Sequence, residues 1–296
     1  MDSPELAYQD VGQGLPVLII HGWTMSGSVE AIDFEPVFIK QPGYRRLYMD
    51  LPGMGQTPAG AIKDLDSMLQ SVSTFVEKQI LPSKFLIIGT SCGAYLARAL
   101  AYKYASAVDG LLIRVPLIEP VTSKRDLDPF MPVISNNALL SSLSITDRET
   151  LGDIPVQTPE YIDSLRGRLR TSILPAIAAS DSAVLEPIRN DQDLYRLTAP
   201  MHSPDMPFAK PTLILTGRQD TVVGYRDAWP LLACYPRATF VALDRMDHGL
   251  PVDDTDVLIF EACKRNAFML VCNKIRWSTD TVRLSTVRTS VVSPVF

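Results

Sequence analysis

A mostly parallel α/β sheet, wound by helices on both faces and broken by a helical insertion, is the fold this sequence predicts. Three observations predict it. Short apolar runs rich in Val, Ile and Leu alternate with segments of helical periodicity. The alternation stops near residue 115 and resumes near residue 210. One strand-like run, Lys84-Phe85-Leu86-Ile87-Ile88, passes through a Gly-flanked turn straight into the helix-like Ala94-Tyr95-Leu96-Ala97-Arg98-Ala99-Leu100.

The elements follow in order. Residues 5–12 read as a short edge strand closing in a Gly12-Gln13-Gly14 turn, and Pro16-Val17-Leu18-Ile19-Ile20 as a buried strand ending in the polar loop His21-Gly22-Trp23-Thr24. Loop and helix are expected over 26–39, and a strand over 44–50. Pro52, Gly53 and Gly55 then mark a tight loop. An amphipathic helix over 66–79 places Met68, Val72, Phe75 and Val76 on one side. The Gly-flanked turn and its helix follow, then a strand over 108–115. From 116 to about 208 the pattern is helical and irregular. One helix is expected over 158–173, and one or two over 180–197 interrupted at Pro187. Strands return over 210–216 and 238–243 with a helix over 221–235 between them, and a last amphipathic helix is expected over 254–274. This gives a core of 1–115 and 209–275, an inserted cap of 116–208, and a tail of 276–296. The tail is rich in Ser, Thr and Val and fits a hairpin, a contact arm or a mobile end. Pairing with a second copy, and so a homodimer, is one expectation.

Composition narrows the function. The 296 residues are 46% hydrophobic and 21% charged, ordinary globular usage with room for one α/β domain and an insertion. A net charge of −5 gives no electrostatic reason to expect nucleic acid or an anionic membrane surface. No apolar run approaches a membrane span. Met1-Asp2-Ser3-Pro4-Glu5 lacks the layout of a signal peptide, and Cys92, Cys234, Cys263 and Cys272 show no C-x-x-C spacing, so a reducing cytosol is the expected compartment. His21, His202 and His248 form no H-E-x-x-H or clustered set, so neither a metal nor a cofactor is expected.

The chemistry starts at Gly89-Thr90-Ser91-Cys92-Gly93. Between a buried strand and a helix this G-x-S-x-G pattern reads as a nucleophile elbow, in which Gly89 and Gly93 let strand and helix approach and Ser91 is held exposed above the sheet. A serine hydroxyl needs a base, a group to orient that base, and donors for an oxyanion. His248, just past the last strand, is the expected base. His21 is expected to shape the loop after its own strand, and His202 falls in the insertion. Asp220, after Thr216-Gly217-Arg218-Gln219, is the expected orienting acid and could equally cap a helix. Glu119 is the alternative acid, whereas Asp247 is too close in sequence to His248 to reach its ring. The order Ser91, Asp220, His248 supports the assignment. The backbone N–H groups of Cys92 and Trp23 are the expected oxyanion donors, with the Cys92 side chain turned away as packing.

These motifs resemble a known set. His21-Gly22-Trp23, Asp50-Leu51-Pro52-Gly53-Met54-Gly55, Gly89-Thr90-Ser91-Cys92-Gly93, Gly217-Arg218-Gln219-Asp220 and Asp247-His248-Gly249 look like those of the α/β-hydrolase fold over about residues 6–270. Within it they are similar to the capped group of esterases, lactonases, proline iminopeptidases and C–C bond hydrolases. The resemblance implies that 116–208 forms a lid over the triad. Cys92 and the tail depart from the pattern.

The expected activity is a serine hydrolase acting on a small or medium, partly hydrophobic acyl compound, whether ester, lactone or thioester. Phe130, Met131, Ile134, Tyr161, Leu165, Leu185 and Tyr195 are the candidate lining residues of the lid, and lid packing is the plain alternative for each. A C–C hydrolase of a ring-cleavage diketone would use the same three residues. An aminopeptidase would add lid carboxylates, for which Glu119, Asp126, Asp128 and Glu160 are available. A non-catalytic small-ligand receptor of the same fold stays open too.

Overall fold

The computed structural model describes residues 5–249, 252–253 and 255–256. Seven strands form one sheet: β1 (Tyr8–Gly12), β2 (Leu15–Ile20), β3 (Tyr44–Met49), β4 (Phe85–Thr90), β5 (Val108–Arg114), β6 (Thr212–Gly217) and β7 (Ala238–Leu243). Their spatial order is β1-β3-β2-β4-β5-β6-β7, with β1 antiparallel to β3 and every other pair parallel. The order runs outward from β2 to β3 and then reverses to β4. Such a reversal opens a crevice at the C-terminal strand ends, where α/β sheets place their sites.

The apolar runs are continuous because the central strands are buried on both faces. Leu18, Ile20, Ile87, Leu111 and Ile113 point to one core together with residues of α2 (Leu65–Gln79) and α3 (Cys92–Lys103). Their neighbours Val17, Ile19, Leu86, Ile88 and Leu112 point to the other, against Phe34, Val37 and Phe38 of α1 (Gly27–Phe38). The period of two in a strand produces this division. Each such side chain contributes about 1.5–3 kcal/mol on burial. Helix α2 starts on a capping box, in which the Asp64 side chain accepts from the Ser67 backbone and the Ser67 hydroxyl meets the Asp64 backbone.

Between β5 and β6 lie five helices: α4 (Asn137–Ser142), α5 (Ile145–Leu151), α6 (Pro159–Arg168), α7 (Leu174–Ala178) and α8 (Ser182–Asn190). They carry a small core of their own built on Leu151, Ile154, Val156, Tyr161, Ile162 and Leu165. Backbone bonds tie the segment to the sheet domain, Leu65 N–H to Leu194 C=O at 2.9 Å and Asp181 N–H to Gly53 C=O at 2.8 Å.

Three expectations change. The helix expected over 158–173 runs on to Ala178, with a π-helical turn at Leu169–Ile173. Pro175 cannot donate to the carbonyl one turn back, and the wider turn sits immediately before it. Pro187 lies inside α8 rather than breaking it; its missing N–H removes one internal bond of the helix. The helix expected over 221–235 does not form: turns lead to a short 3-10 helix at Trp229–Ala233. Asp220 Oδ1 takes the Val222 and Val223 N–H groups at 2.8 and 3.0 Å, and Gly224 at φ +71° then turns the chain away from helical geometry. Apart from residues 255 and 256, the last helix expected over 254–274 lies outside the described residues, as does the tail.

Candidate active site

The turn after β4 is strained as its sequence anticipates. Ser91 has φ 55° and ψ −117°, a region few L-residues adopt. Steric limits on both sides enforce it. A Cβ on Gly89 would lie 2.5 Å from the Gly93 carbonyl oxygen and 2.7 Å from Ala94 Cα, and one on Gly93 would lie 2.3 Å from the Ile20 carbonyl oxygen. The Ser91 carbonyl accepts from Ala94 and Leu117, which ties the turn to α3 and to the segment after β5.

Three side chains distant in sequence meet at this rim. Ser91 Oγ is 3.0 Å from His248 Nε2, and His248 Nδ1 is 2.9 Å from Asp220 Oδ2. Burial would raise the Asp220 pKa, but the His248 charge and the hydrogen bonds from His248, Val223 and Val222 outweigh it and hold the carboxyl below its ordinary range. For His248 burial pulls the pKa down, and the Asp220 and Asp247 charges outweigh it, so the imidazole titrates above its ordinary 6.5. Asp247 spends Oδ1 on the Gly249 N–H at 2.8 Å, and burial pushes its carboxyl up to about 6. Glu119 is engaged elsewhere, accepting from the Val121 N–H at 2.8 Å and facing Arg196 at 3.9 Å.

The loop after β2 abuts the serine, since a Cβ on Gly22 would lie 3.2 Å from Ser91 Cβ. His21 holds that loop. Its Nε2 accepts the Leu51 N–H at 2.9 Å, so the ring proton sits on Nδ1 and donates to the Gly22 carbonyl at 2.7 Å. The backbone N–H groups of Trp23 and Cys92 have no acceptor among the described residues. The Cys92 side chain is fully buried, and burial pushes its thiol up to about 12. His202 packs among Tyr102, Phe208 and Tyr235, far from any role at this rim.

A cavity of about 410 Å³ opens beside Ser91 and His248. Its apolar wall includes Met25, Val29, Leu117, Leu165, Leu169 and Ile173, and Tyr195 joins it. Of the expected lining residues only Leu165 and Tyr195 are on this wall. Met131 and Ile134 are exposed, and neither they nor Phe130 line the cavity. Tyr161 and Leu185 are buried in packing, Tyr161 within the insertion's own core and Leu185 against Gly53. The apolar sequence pattern of the insertion cannot separate a residue facing the cavity from one facing its own core.

Part of the lining is charged, and sequence reading missed it. Arg114 donates to Asp33 Oδ2 at 2.7 Å, to Glu30 Oε2 at 2.8 Å and to Thr90 Oγ1 at 3.1 Å, while Thr90 donates to Glu30 at 3.0 Å. Arg168 of α6 grips Asp33 with two bonds at 2.7 and 3.0 Å. Two cations and two carboxylates thus neutralise one another in a nearly dry site. Burial would raise both carboxyl pKa values. For Asp33 the Arg114 and Arg168 charges outweigh it and hold the group low, whereas Glu30 stays raised. A signal existed: Arg114 ends the apolar run Leu111-Leu112-Ile113 of a buried strand, where a charge demands a partner. Among the described residues, no group of three or more His, Cys, Asp or Glu side chains could hold a metal.

The model of the family described as alpha/beta hydrolase fold matches residues 16–253. The chain belongs to this family. Over 111 residues it is 33% identical to a pimeloyl-[acyl-carrier protein] methyl ester esterase of Shewanella woodyi, covering 37% of this chain and 39% of that protein. The chain therefore spans about two fifths of the length of that relative. It is 26% identical over 247 residues to the AB hydrolase superfamily protein YisY of Bacillus subtilis, covering 82% of this chain and 88% of that one. Among solved structures, an alpha/beta superfamily hydrolase from Oenococcus oeni PSU-1 shares the fold with a TM-score of 0.72 at 23% identity, covering 90% of this chain and 96% of the other. A thermophilic esterase from Thermogutta terrifontis does so with a TM-score of 0.59 at 20% identity, covering 90% and 93%.

Proposed function

We propose that this α/β hydrolase is a serine hydrolase of carboxylic esters, with Ser91 as nucleophile, His248 as general base and then acid, and Asp220 as the group that orients His248. The observation that carries the reading is the unbroken hydrogen-bond chain from Ser91 Oγ through His248 to Asp220, at 3.0 and 2.9 Å, opening on a cavity. The esterase names of relatives support the ester over other acyl bonds.

The chemistry follows from the hydrogen-bond roles. An ionised Asp220 accepts a hydrogen bond from the Nδ1–H of His248, which leaves the Nε2 lone pair facing the Ser91 hydroxyl. As Ser91 Oγ attacks the ester carbon, its proton passes to Nε2. Asp220 stabilises the imidazolium that results. The tetrahedral oxyanion takes hydrogen bonds from the Cys92 N–H at the N-terminus of α3 and the Trp23 N–H of the loop after β2, worth about 3–4 kcal/mol per donor in comparable sites. His248 returns the proton to the leaving alkoxide. It then takes a proton from water as the water oxygen attacks the acyl carbon bound to Ser91, and passes that proton to Ser91 Oγ as the bond to the serine breaks and the acid leaves. The insertion acts as the cap, closing the cavity with Leu165, Leu169, Ile173 and Tyr195.

Turnover of p-nitrophenyl esters of rising chain length, beside lactones, amino-acid amides and a ring-fission diketone, tests the reading. Esters should be the preferred class, and Ser91→Ala and His248→Ala should each lose about a thousandfold or more in kcat. Wild-type turnover in either variant would end the assignment.

A further inference from the structure

The geometry points to a second recognition element in this cavity: Arg125 and Arg189 bind a carboxylate remote from the scissile bond, so the substrate is a half-ester of a short dicarboxylic acid. The inference rests on the ester hydrolase reading for the word ester, and on the cavity alone for the carboxylate.

The other charged groups on the wall are engaged. Glu30 is paired with Arg114, Arg168 with Asp33, and His248 with Asp220, while Asp247 accepts the Gly249 N–H. Arg125 and Arg189 differ. Arg125 is buried and held in place by carbonyls alone: Nε donates to Glu119, Nη1 to Val222 at 2.7 Å and Nη2 to Pro120. Three of the five donors of a guanidinium are used in this way, and two remain. Arg189 of α8 lies 4.6 Å above the ring of Tyr195, which fixes it against the cavity without neutralising it. Neither arginine forms an ion pair among the described residues.

The two cations sense each other. Burial lowers the Arg125 pKa, and the like charge of Arg189 lowers it further. The acids near Arg125 are occupied. Asp220 serves His248, Asp227 accepts the Asp126 N–H at 3.2 Å, and Glu119 accepts the Val121 N–H. Two like charges facing an apolar cavity are costly, and an anion between them removes the cost. Planar guanidinium forks match a carboxylate in shape as well as charge. The same cavity holds Ser91 and both arginines in about 410 Å³, which suits a short acyl chain with one end at the serine and the other at the pair.

The test compares mono-p-nitrophenyl glutarate with p-nitrophenyl valerate, which has the same number of acyl carbons and no charge. In the full chain kcat/KM should favour the half-ester by about tenfold or more, through KM, the scale of a charged hydrogen bond. Arg189→Met should bring that ratio close to one, and Arg189→Glu should reverse it. The ratio is internal to each preparation, so loss of folded protein does not move it. Equal use of the two esters by the wild type, or a ratio that survives Arg189→Met, overturns the inference and leaves the esterase reading intact. If neither ester turns over, binding of glutarate measured by calorimetry decides: binding that Arg189→Met abolishes supports the anion site while the esterase reading fails, and absence of binding overturns the site as well.

Discussion

The two walls of the cavity are made in different ways. The rim that carries Ser91, Gly22 and His248 is built by backbone: loops after strand ends, a turn at φ 55°, and glycines where strand and helix touch. The charged part of the lining is built by side chains. Glu30 and Asp33 from α1, Thr90 and Arg114 from strand ends, and Arg168 from α6 converge from as far as 135 residues apart. A backbone wall tolerates little change in shape but does not depend on partners. A charged wall tolerates change in shape and depends wholly on partners, because each buried charge is stable only while the other is present.

The contrast can be broken at either wall. The largest expected loss of stability comes from Asp33→Ala, which takes from Arg168 its ion pair at 2.7 Å and from Arg114 one of its two carboxylate partners. Removing one partner of a buried pair costs about 3–5 kcal/mol. A urea midpoint close to that of the wild type would show that water already screens this cluster. Gly93→Ala comes next. Its Cβ would meet the Ile20 and His21 carbonyl oxygens at 2.3 and 2.4 Å, both backbone, and should cost about 3 kcal/mol in the same titration. Gly167→Ala is the sharpening control. It lies in α6 with nothing near its Cβ, and it should gain up to about 1 kcal/mol from helix propensity.

A smaller effect belongs to pH. His248 is raised above 6.5, and only the neutral imidazole can accept the serine proton. The acid limb of kcat/KM should therefore have its midpoint above 6.5, with activity lost as pH falls through it. Asp220→Asn should move that midpoint down, since it removes the charge that raises it. A wild-type midpoint at or below 6.5 would contradict the electrostatics described for the site.

The same contrast explains what sequence could reveal. Gly89, Ser91 and Gly93 are close in the chain and their spacing is itself the geometry, so the turn was legible. Asp220 and His248 were legible as residues following strands. The charged wall was not, because no local pattern links Arg114 to Asp33 or Arg168; only the oddity of a charge ending an apolar run hinted at it. Phe130, Met131 and Tyr161 show the same limit in the insertion, where apolar periodicity has more than one face to serve. The helix expected over 221–235 failed for a local reason, as Asp220 draws the Val222 and Val223 N–H groups into its own turn.

The central claim is that Ser91 is an activated nucleophile. The most direct measurement is the intact mass of the protein after exposure to a fluorophosphonate, followed by peptide mapping. One adduct should form on Ser91, with labelling lost in Ser91→Ala and slowed in His248→Ala. An unmodified wild-type protein, or an adduct on any other residue that persists in Ser91→Ala, would contradict the claim.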